Sequence, residues 1–439
     1  MIKKIKLLVS IVMFCILFAG CNKFFQYILI DDTASYTRLT FHEMYEQENI
    51  DVLFVGSSHC YRSFIPEILD EELGMNTFNC GTSSQHLDGS YMVIREAARY
   101  NDIKHIYLEI YFDAAFAVNK ERTDLTQTYI ISDYLRPSLD KVQYLLNAST
   151  KEYYSNSFLR ARRNWNRFFE ADYIKDLILK KGTAAYKNYE YTYVSQETEW
   201  YAGKGYVANN QTVDNWNYFL DDAWFAADFS NISSDWLHTL EDIIAFCGKK
   251  EIALTLVAAP MPNYLLAGIG DYDEYIGIIQ DMIAGTDIRF YDFNLCKEEY
   301  FPNTSSLFKD KDHLNCYGAE TFSRLFADFI NGKILEDELF YSSYEEKLGH
   351  LSPTVFGVVY HDESDDKGEM TRKCQIVSTG NDSLEYKITL TPQEGEPYQL
   401  QGFSDNKRFA VSPEEHGVIT ITYRWGNLPE EIQEVQVAY

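Results

Sequence analysis

The chain has 439 residues, which is more than one ordinary domain holds and indicates two or three domains. Hydrophobic residues make up 46% of it and aromatic residues 15%, so it can bury a full core and is not a disordered chain. The formal net charge of −27 argues against nucleic acid or an anionic membrane as a partner, because both repel an acidic surface.

The N-terminal segment has the composition of an export signal. Its basic residues come first, at Lys3, Lys4 and Lys6. The apolar run 7–20 is shorter than the roughly 20 residues of a membrane span, and small residues then precede Cys21. This ending resembles a bacterial lipoprotein processing site, at which Cys21 would be lipidated; an uncleaved anchor that includes 24–30 is the alternative. Segment 1–21 is therefore predicted to be a leader or anchor, with the body outside the cytoplasmic membrane because the lysines stay inside.

Strand and helix patterns then alternate in two stretches of the chain. The first stretch predicts a strand at 51–56, a helix at 66–74, a strand at 75–80, a helix at 91–100 and a strand at 104–111. The second predicts a helix at 234–247, a strand at 252–259, a helix at 272–284, a strand at 288–293 and a last helix capped by Asn315. This alternation predicts an α/β fold, a three-layer α/β/α domain with a parallel sheet of about five strands.

Two further regions flank or interrupt this predicted domain, which spans 22–341. The insertion 114–231 is rich in Tyr, Trp, Phe and Asn, and helical patterns fill its first half, at 141–146, 156–169 and 173–180. We expect it to be a lid or a platform that stacks aromatic rings on sugars, or else a subdomain with its own small core. Alternating apolar residues at 342–439 predict an all-β, sandwich-like accessory domain.

Six cysteines lie in the body of the chain, and their spacing matches no zinc motif. The sequence leaves open whether they pair as disulfides or pack as small hydrophobic residues. No cofactor and no metal are expected.

Two segments carry the residues for nucleophilic catalysis. Gly56-Ser57-Ser58-His59 follows the first strand, at the carboxyl edge where parallel sheets place their ligand crevice. Asp310-Lys311-Asp312-His313 stands immediately before the last helix. An aspartate three residues before a histidine can accept the Nδ1–H, which leaves Nε2 to take a proton from a serine hydroxyl.

Together with Asn79-Cys80-Gly81 after the second strand, these segments resemble the SGNH, or GDSL-like, hydrolases. The similarity is to their extracellular branch, related to proteins of alginate O-acetylation and lipoteichoic acid D-alanylation. It implies Ser58 as nucleophile, His313 as general base and Asp310 as the residue that orients it. It also implies an oxyanion hole made by the backbone N–H groups of Ser58 and Gly81.

The chain departs from this family in its third block. The family usually ends a strand with Gly-x-Asn-Asp, whose asparagine donates to the oxyanion, whereas this chain has Glu-Ile-Tyr-Phe-Asp at 109–113. Loss of one oxyanion donor costs about 10²- to 10³-fold in rate. Asn79 is the candidate substitute.

Other residues near these segments have competing interpretations. Ser83, in a second Gly-x-Ser turn, is a rival nucleophile, and Asp312 is a rival to Asp310. His59 either lines the pocket or only caps the turn. Asp310, Asp312 and His313 could chelate a metal, but no further ligand is spaced to complete the shell.

The resemblance and the leader predict an exported, membrane-tethered serine esterase or O-acyltransferase. Its substrate would be an acylated cell-envelope polysaccharide or cell-wall polymer. The expected partners are that polymer, the membrane through an N-terminal lipid or anchor, and a membrane-bound acyltransferase. The alternative is a catalytically silent binding or scaffold subunit of a cell-surface acylation system.

Overall fold

The computed structural model describes residues 2–116, 122, 124–221, 228–364, 370–379, 384–426 and 428–439. Parts of the predicted insertion, at 117–121, 123 and 222–227, lie outside the described residues. The chain divides into two compact units. The first contains residues 1–209 and 233–255, and the second contains residues 210–232 and 256–439.

The elements up to residue 209 are mainly helical. They are α1 (Ile2–Leu29), α2 (Tyr36–Glu46), β1 (Val52–Val55), α3 (Ser58–Ser63), α4 (Pro66–Leu73), β2 (Thr77–Asn79), α5 (Leu87–Tyr100), β3 (His105–Glu109), α6 (Thr126–Ser132), α7 (Leu139–Ala148), α8 (Tyr154–Phe158), α9 (Ala171–Gly182), α10 (Ala184–Lys187), β4 (Glu199–Gly203) and β5 (Tyr206–Asn209). Short 3₁₀ helices add Phe112–Phe116, Arg160–Phe169 and Tyr191–Tyr193.

The elements after residue 209 end in a run of strands. They are β6 (Tyr218–Asp221), α11 (Ser234–Lys250), β7 (Ala253–Ala258), α12 (Asn263–Gly268), α13 (Tyr272–Ile283), β8 (Arg289–Asp292), α14 (Cys316–Ile330), α15 (Glu336–Leu339), α16 (Tyr344–His350), β9 (Thr354–Ser364), β10 (Met370–Thr379), β11 (Leu384–Pro392), β12 (Tyr398–Ser404), β13 (Arg408–Val411), β14 (Gly417–Trp425) and β15 (Leu428–Ala438). Short 3₁₀ helices lie at Phe229–Asn231, Phe293–Leu295 and Ser305–Leu307.

The predicted α/β fold class is confirmed. Five parallel strands form one sheet in the order β2-β1-β3-β7-β8, with β1 paired to β2 and β3 in parallel register. The four residues of β1 are all buried, which explains their continuous apolar run. Capping also follows the sequence: Pro66 begins α4, Gly74 ends it with a left-handed φ of 64°, and Asn315 accepts two backbone N–H bonds at the start of α14.

The C-terminal region has two four-stranded sheets, as the predicted sandwich-like domain requires. Their orders are β13-β10-β9-β6 and β12-β11-β14-β15. Strand β6 was not predicted: it comes from the insertion and pairs in parallel with β9. A Cβ on Gly357 of β9 would lie 2.2 Å from the carbonyl oxygen of Tyr218, so this close approach needs glycine.

The predicted helix 156–169 is wrong as a single element. The chain forms α8 and then a 3₁₀ helix, with a break at Leu159 and non-helical angles at Asn164. Arg160, Arg163 and Arg167 recur at three- and four-residue spacing, where like charges destabilise an α-helix. Two of these arginines instead pair with Asp133, at 2.7 Å and 2.8 Å.

An N-terminal helix that is long and apolar enough to cross a membrane is present at Lys3–Leu29. It continues without interruption past Cys21, which is exposed on it. An export signal and a membrane anchor both have this form, and the helix is compatible with membrane association.

Candidate functional site

The serine turn lies between β1 and α3. Gly56 leaves the strand, Ser57 is the N-cap of α3 and Ser58 is its first residue. The Oγ of Ser57 accepts the backbone N–H of His59 at 3.2 Å, so Ser57 has a capping role. Ser58 is half-buried, and its place at the carboxyl end of β1 is the one that the sequence predicted.

Glu109 supports this turn from the end of β3. Its Oε2 accepts the backbone N–H of Ser57 at 2.7 Å and the Oγ–H of Ser57 at 2.8 Å. A Cβ on Gly56 would lie 2.4 Å from the same oxygen, so the carboxylate and the backbone need glycine between them. This role of Glu109 was not predicted, although a glutamate at the end of a buried apolar strand indicates a buried polar contact.

Asn79 and Gly81 pack directly against the serine turn. A Cβ on Gly81 would lie 2.9 Å from the carbonyl oxygen of Ser57, so the two segments touch. The N–H of Gly81 donates to the Oδ1 of Asn79 at 3.0 Å. The Nδ2 of Asn79 donates to the carbonyl oxygens of Cys60 and Phe64, at 2.9 Å and 3.1 Å. Two of the three predicted oxyanion donors, Gly81 and Asn79, therefore have partners within the fold, and their oxyanion roles stay predictions.

The hairpin β4–β5 of the insertion contacts α3 near its C-terminal end. Arg62 of α3 is buried, and it pairs with Glu199 at 2.5 Å and donates to the carbonyl oxygen of Val207 at 3.3 Å. At the hairpin turn, the carbonyl oxygen of Lys204 accepts the N–H of Asn79 at 3.0 Å. Part of the predicted lid is thus a structural support for the serine segment.

The histidine lies in a tight loop of the second unit. Phe308 and Leu314 form an antiparallel bridge, and the N–H of Lys309 donates to the carbonyl oxygen of His313 at 3.0 Å. The Oδ1 of Asp310 accepts the backbone N–H of His313 at 2.9 Å. The loop is therefore folded by the carboxylate that also orients the ring.

Two carboxylates engage the Nδ1 of His313. Asp310 approaches it with Oδ1 at 3.0 Å and Oδ2 at 3.2 Å, and Asp312 with Oδ1 at 2.7 Å. Asp310 and Asp312 were predicted to be rivals for this role, whereas the loop directs both carboxylates to one nitrogen. A metal bound through these same atoms would have to break the hydrogen bonds to His313.

The charge around His313 sets its proton affinity. Burial opposes protonation, but the hydrogen bonds and charges of Asp310 and Asp312 outweigh it and raise the pKa of His313 to about 9. For Asp310, burial acts to raise the pKa, but the hydrogen bond and charge of His313 and the nearby Lys309 hold it well below its usual range. Nδ1 is the nitrogen that the acids bind, so a further proton would be taken up on Nε2.

The rival serine, the second histidine and the cysteines lie in the following surroundings. Ser83 is exposed, in the loop after Gly81. The ring of His59 is buried and stacks on Tyr111, with centroids 4.1 Å apart. All eight cysteines are free thiols, and burial raises the pKa of Cys60 and Cys80 beside the serine turn.

Comparison with known proteins adds no family assignment. No family model matches the chain, and no curated protein matches it. One similar solved structure is the endo-beta-1,4-mannanase double mutant of Cellulomonas fimi, with 11% sequence identity and a TM-score of 0.14. That alignment covers 93% of this chain and 99% of the mannanase chain, and such a TM-score supports no argument about fold or function.

Proposed function

We propose that the chain is a serine esterase or O-acyltransferase of the SGNH type, with Ser58 as nucleophile, His313 as general base and Asp310 with Asp312 as the orienting acids. The observation that supports it most is the imidazole of His313, whose Nδ1 is engaged by two carboxylates. A serine at the carboxyl end of β1 supports it further. The proposal requires the Oγ of Ser58 to come within hydrogen-bond reach of the Nε2 of His313.

The chemistry follows from these roles. His313 takes the proton of Ser58 as its Oγ attacks the carbonyl carbon of an O-acyl ester, and the backbone N–H of Ser58 stabilises the oxyanion. Collapse of the tetrahedral intermediate releases the alcohol, which receives the proton from His313, and leaves an acyl group on Ser58. Water then regenerates the serine in an esterase, whereas a sugar hydroxyl does so in a transferase.

The cellular setting belongs to the same proposal. The basic residues before the apolar helix support a body on the extracytoplasmic side of the membrane, held either by lipidated Cys21 or by α1 itself. An acylated polysaccharide or cell-wall polymer is then the accessible substrate, and a membrane-bound acyltransferase is a suitable acyl source.

Hydrolysis of an activated acetyl ester by the purified full chain tests the catalytic proposal. Ser58→Ala and His313→Gln should each lower kcat/KM by at least about 10³-fold. Ser83→Ala is the matched control, because it removes an exposed serine from the neighbouring loop and should leave the rate unchanged. Full activity in Ser58→Ala would refute the mechanism.

The scaffold alternative has one observation in its favour. The N–H of Gly81 and the side chain of Asn79 are both used inside the fold, so two expected oxyanion donors are engaged. A fluorophosphonate probe separates the two functions, since it reacts only with an activated serine. Labelling that disappears in both Ser58→Ala and His313→Gln supports the enzyme, and no labelling of the unaltered chain supports the scaffold.

A further inference from the structure

Where α1 meets the insertion, five aromatic side chains form a continuous cluster. We call it the aromatic collar: Phe24, Phe25, Trp165, Phe168 and Phe169. Ring centroids lie 5.5 Å apart between Phe24 and Phe25, 5.3 Å between Phe25 and Trp165, and 5.1 Å both between Trp165 and Phe168 and between Phe168 and Phe169.

Much of the aromatic collar is open to solvent in the isolated chain. Phe169 is 88% exposed, Phe24 58% and Trp165 47%. Large aromatic side chains at this exposure mark a surface that something else covers.

The position of the aromatic collar indicates that a membrane covers it. It lies beside the last turns of α1, the helix that is apolar enough to cross a membrane, and nearly all residues of α1 before it are exposed. Tryptophan rings concentrate at the level of lipid headgroups, and phenylalanine rings insert at the adjoining boundary with the acyl chains. We propose that the aromatic collar and the helical half of the insertion lie in the headgroup region of the membrane beside the end of α1. This inference rests on the membrane tether in the proposed function, and it is independent of the catalytic residues.

Hydrogen bonds join the insertion to the C-terminal end of α1. The last carbonyl groups of α1 have lost their helical partners and receive side-chain donors from the insertion. Asn164 and Tyr173 donate to the carbonyl oxygen of Leu29, at 3.0 Å and 2.9 Å. Lys181 donates to the carbonyl oxygen of Ile30 at 2.5 Å and pairs with Asp32 at 2.9 Å. The insertion is therefore fixed to the end of α1, so the depth of α1 in the membrane determines the depth of the insertion.

The local charge differs from that of the whole chain. The segment 160–181 contains seven Lys and Arg residues against three Asp and Glu residues, whereas the chain as a whole has a formal net charge of −27. Arg162 and Lys175 of this segment are exposed. Most of the other cations of the segment already pair with carboxylates, Arg160 and Arg163 with Asp133 and Lys181 with Asp32. The exposed Arg162 and Lys175 are therefore the side chains that can attract lipid phosphates beside the aromatic surface.

A groove beside Cys21 extends the same surface. It has a volume of about 300 Å³, and its lining includes Phe18, Cys21, Phe25, Leu159 and Trp165. An apolar groove next to the predicted lipidation site can receive an acyl chain, whether it belongs to a lipid on Cys21 or to a bilayer lipid beside an uncleaved α1. The proposed membrane contact is thus the same for both forms of tether.

Tryptophan quenching tests this contact in the full chain. The protein is incorporated into vesicles of equal parts phosphatidylcholine and phosphatidylglycerol, and incorporation is verified by flotation. The contribution of Trp165 is the fluorescence difference between the unaltered chain and Trp165→Phe. Trp425→Phe, which removes a tryptophan from β14, is the matched control. Phosphatidylcholine brominated on the upper acyl chain should quench the Trp165 contribution at least about two-fold more than the Trp425 contribution.

The possible results separate the proposals. Equal quenching of the two contributions in floated protein would overturn the membrane contact while leaving the tether intact. A Trp165 contribution that is shielded from both brominated lipid and aqueous iodide would also overturn it, because a second copy or another protein would then cover the aromatic collar. Failure to float would overturn both tether and contact. Hydrolysis of the acetyl ester, measured on the same sample, reports on the catalytic proposal separately.

Discussion

The buried carboxylate of Glu109 accepts two hydrogen bonds from a single residue, Ser57, one from its backbone N–H and one from its hydroxyl. Ser57 is not the proposed nucleophile, but it caps the helix that Ser58 begins. Glu109 therefore acts as a positioning residue: it fixes the direction in which the chain leaves β1 and enters α3.

Substitution of Glu109 should separate this positioning role from general stability. Glu109→Ala leaves the buried N–H of Ser57 without its acceptor, which costs about 1–3 kcal/mol in the free energy of unfolding. Glu109→Gln keeps an oxygen acceptor but loses the charge, and should cost less. Ser57→Ala keeps the bond from the Ser57 N–H to Glu109 and removes both hydroxyl bonds, the one to Glu109 and the cap on the N–H of His59. We expect kcat/KM to fall least in Ser57→Ala, more in Glu109→Gln and most in Glu109→Ala. If all three variants keep the kcat/KM of the unaltered chain, Glu109 is not a positioning residue.

The proton affinity of His313 predicts an alkaline rate profile. A general base must be neutral, and the two carboxylates raise the pKa of His313 to about 9. The kcat/KM for an activated acetyl ester should therefore increase with pH up to about 9. Asp312→Asn removes a negative charge that favours the imidazolium form, so it should move the midpoint to lower pH and reduce the plateau. Asp328→Asn, at an exposed carboxylate on α14, should leave the midpoint unchanged. A midpoint near 6.5 in the unaltered chain would refute this account.

The same raised pKa links pH to folding stability. Because His313 binds its proton more tightly in the folded chain than at the ordinary value of 6.5, the protonated ring stabilises the fold fully below pH 6.5. That contribution is lost as the pH rises through about 9. The difference in the free energy of unfolding between the unaltered chain and His313→Gln should thus be larger at pH 6 than at pH 10. Urea unfolding at both values measures it, and a difference that grows with pH would contradict the sign.

Close approach to the serine turn predicts a penalty for Gly81→Ala. The added Cβ would lie 2.8 Å from the backbone nitrogen of Tyr61 and 2.9 Å from the carbonyl oxygen of Ser57, so backbone must move. Such overpacking costs about 1–3 kcal/mol in the free energy of unfolding, and it should also lower kcat/KM by displacing the turn. Gly182→Ala, at the end of α9 with nothing within 4 Å of its added Cβ, is the matched control and should be neutral or stabilising.

The sequence predicted the elements whose signals are local. The buried strand at 52–55, the proline start and glycine end of α4, and the cap at Asn315 each depend on a few adjacent residues, and the structure has them. The Asp310–His313 contact was also predictable, since a spacing of three residues suffices to form it.

What the sequence did not predict depends on contacts between distant segments. Glu109 reaches Ser57 across 52 residues, and strand β6 joins β9 across more than 130 residues. Asn79 was predicted as a substitute for the missing third-block donor, and that role stays a prediction. Its contacts with the carbonyl groups of Cys60 and Phe64, in the neighbouring segment, were not predicted. Hydrogen-bond partners of this kind are decided by packing, which a one-dimensional pattern does not record.

The ion pair between Arg62 and Glu199 joins the serine helix to the insertion, and its burial predicts a large effect. The Arg62 side chain is only 6% exposed, and Glu199 is 24% exposed. Removing one partner of a buried pair leaves the other charge uncompensated, so Arg62→Ala should cost about 3–5 kcal/mol in the free energy of unfolding. Arg324→Ala is the matched control: it breaks the pair with Glu320 on α14, where both side chains are about half exposed, and should cost no more than about 1 kcal/mol.

If the pair between Arg62 and Glu199 also positions Ser58, a second variant, Glu199→Gln, should lower kcat at temperatures where the protein is fully folded. Equal destabilisation by Arg62→Ala and Arg324→Ala would show that the hairpin β4–β5 does not depend on this pair for its place beside α3.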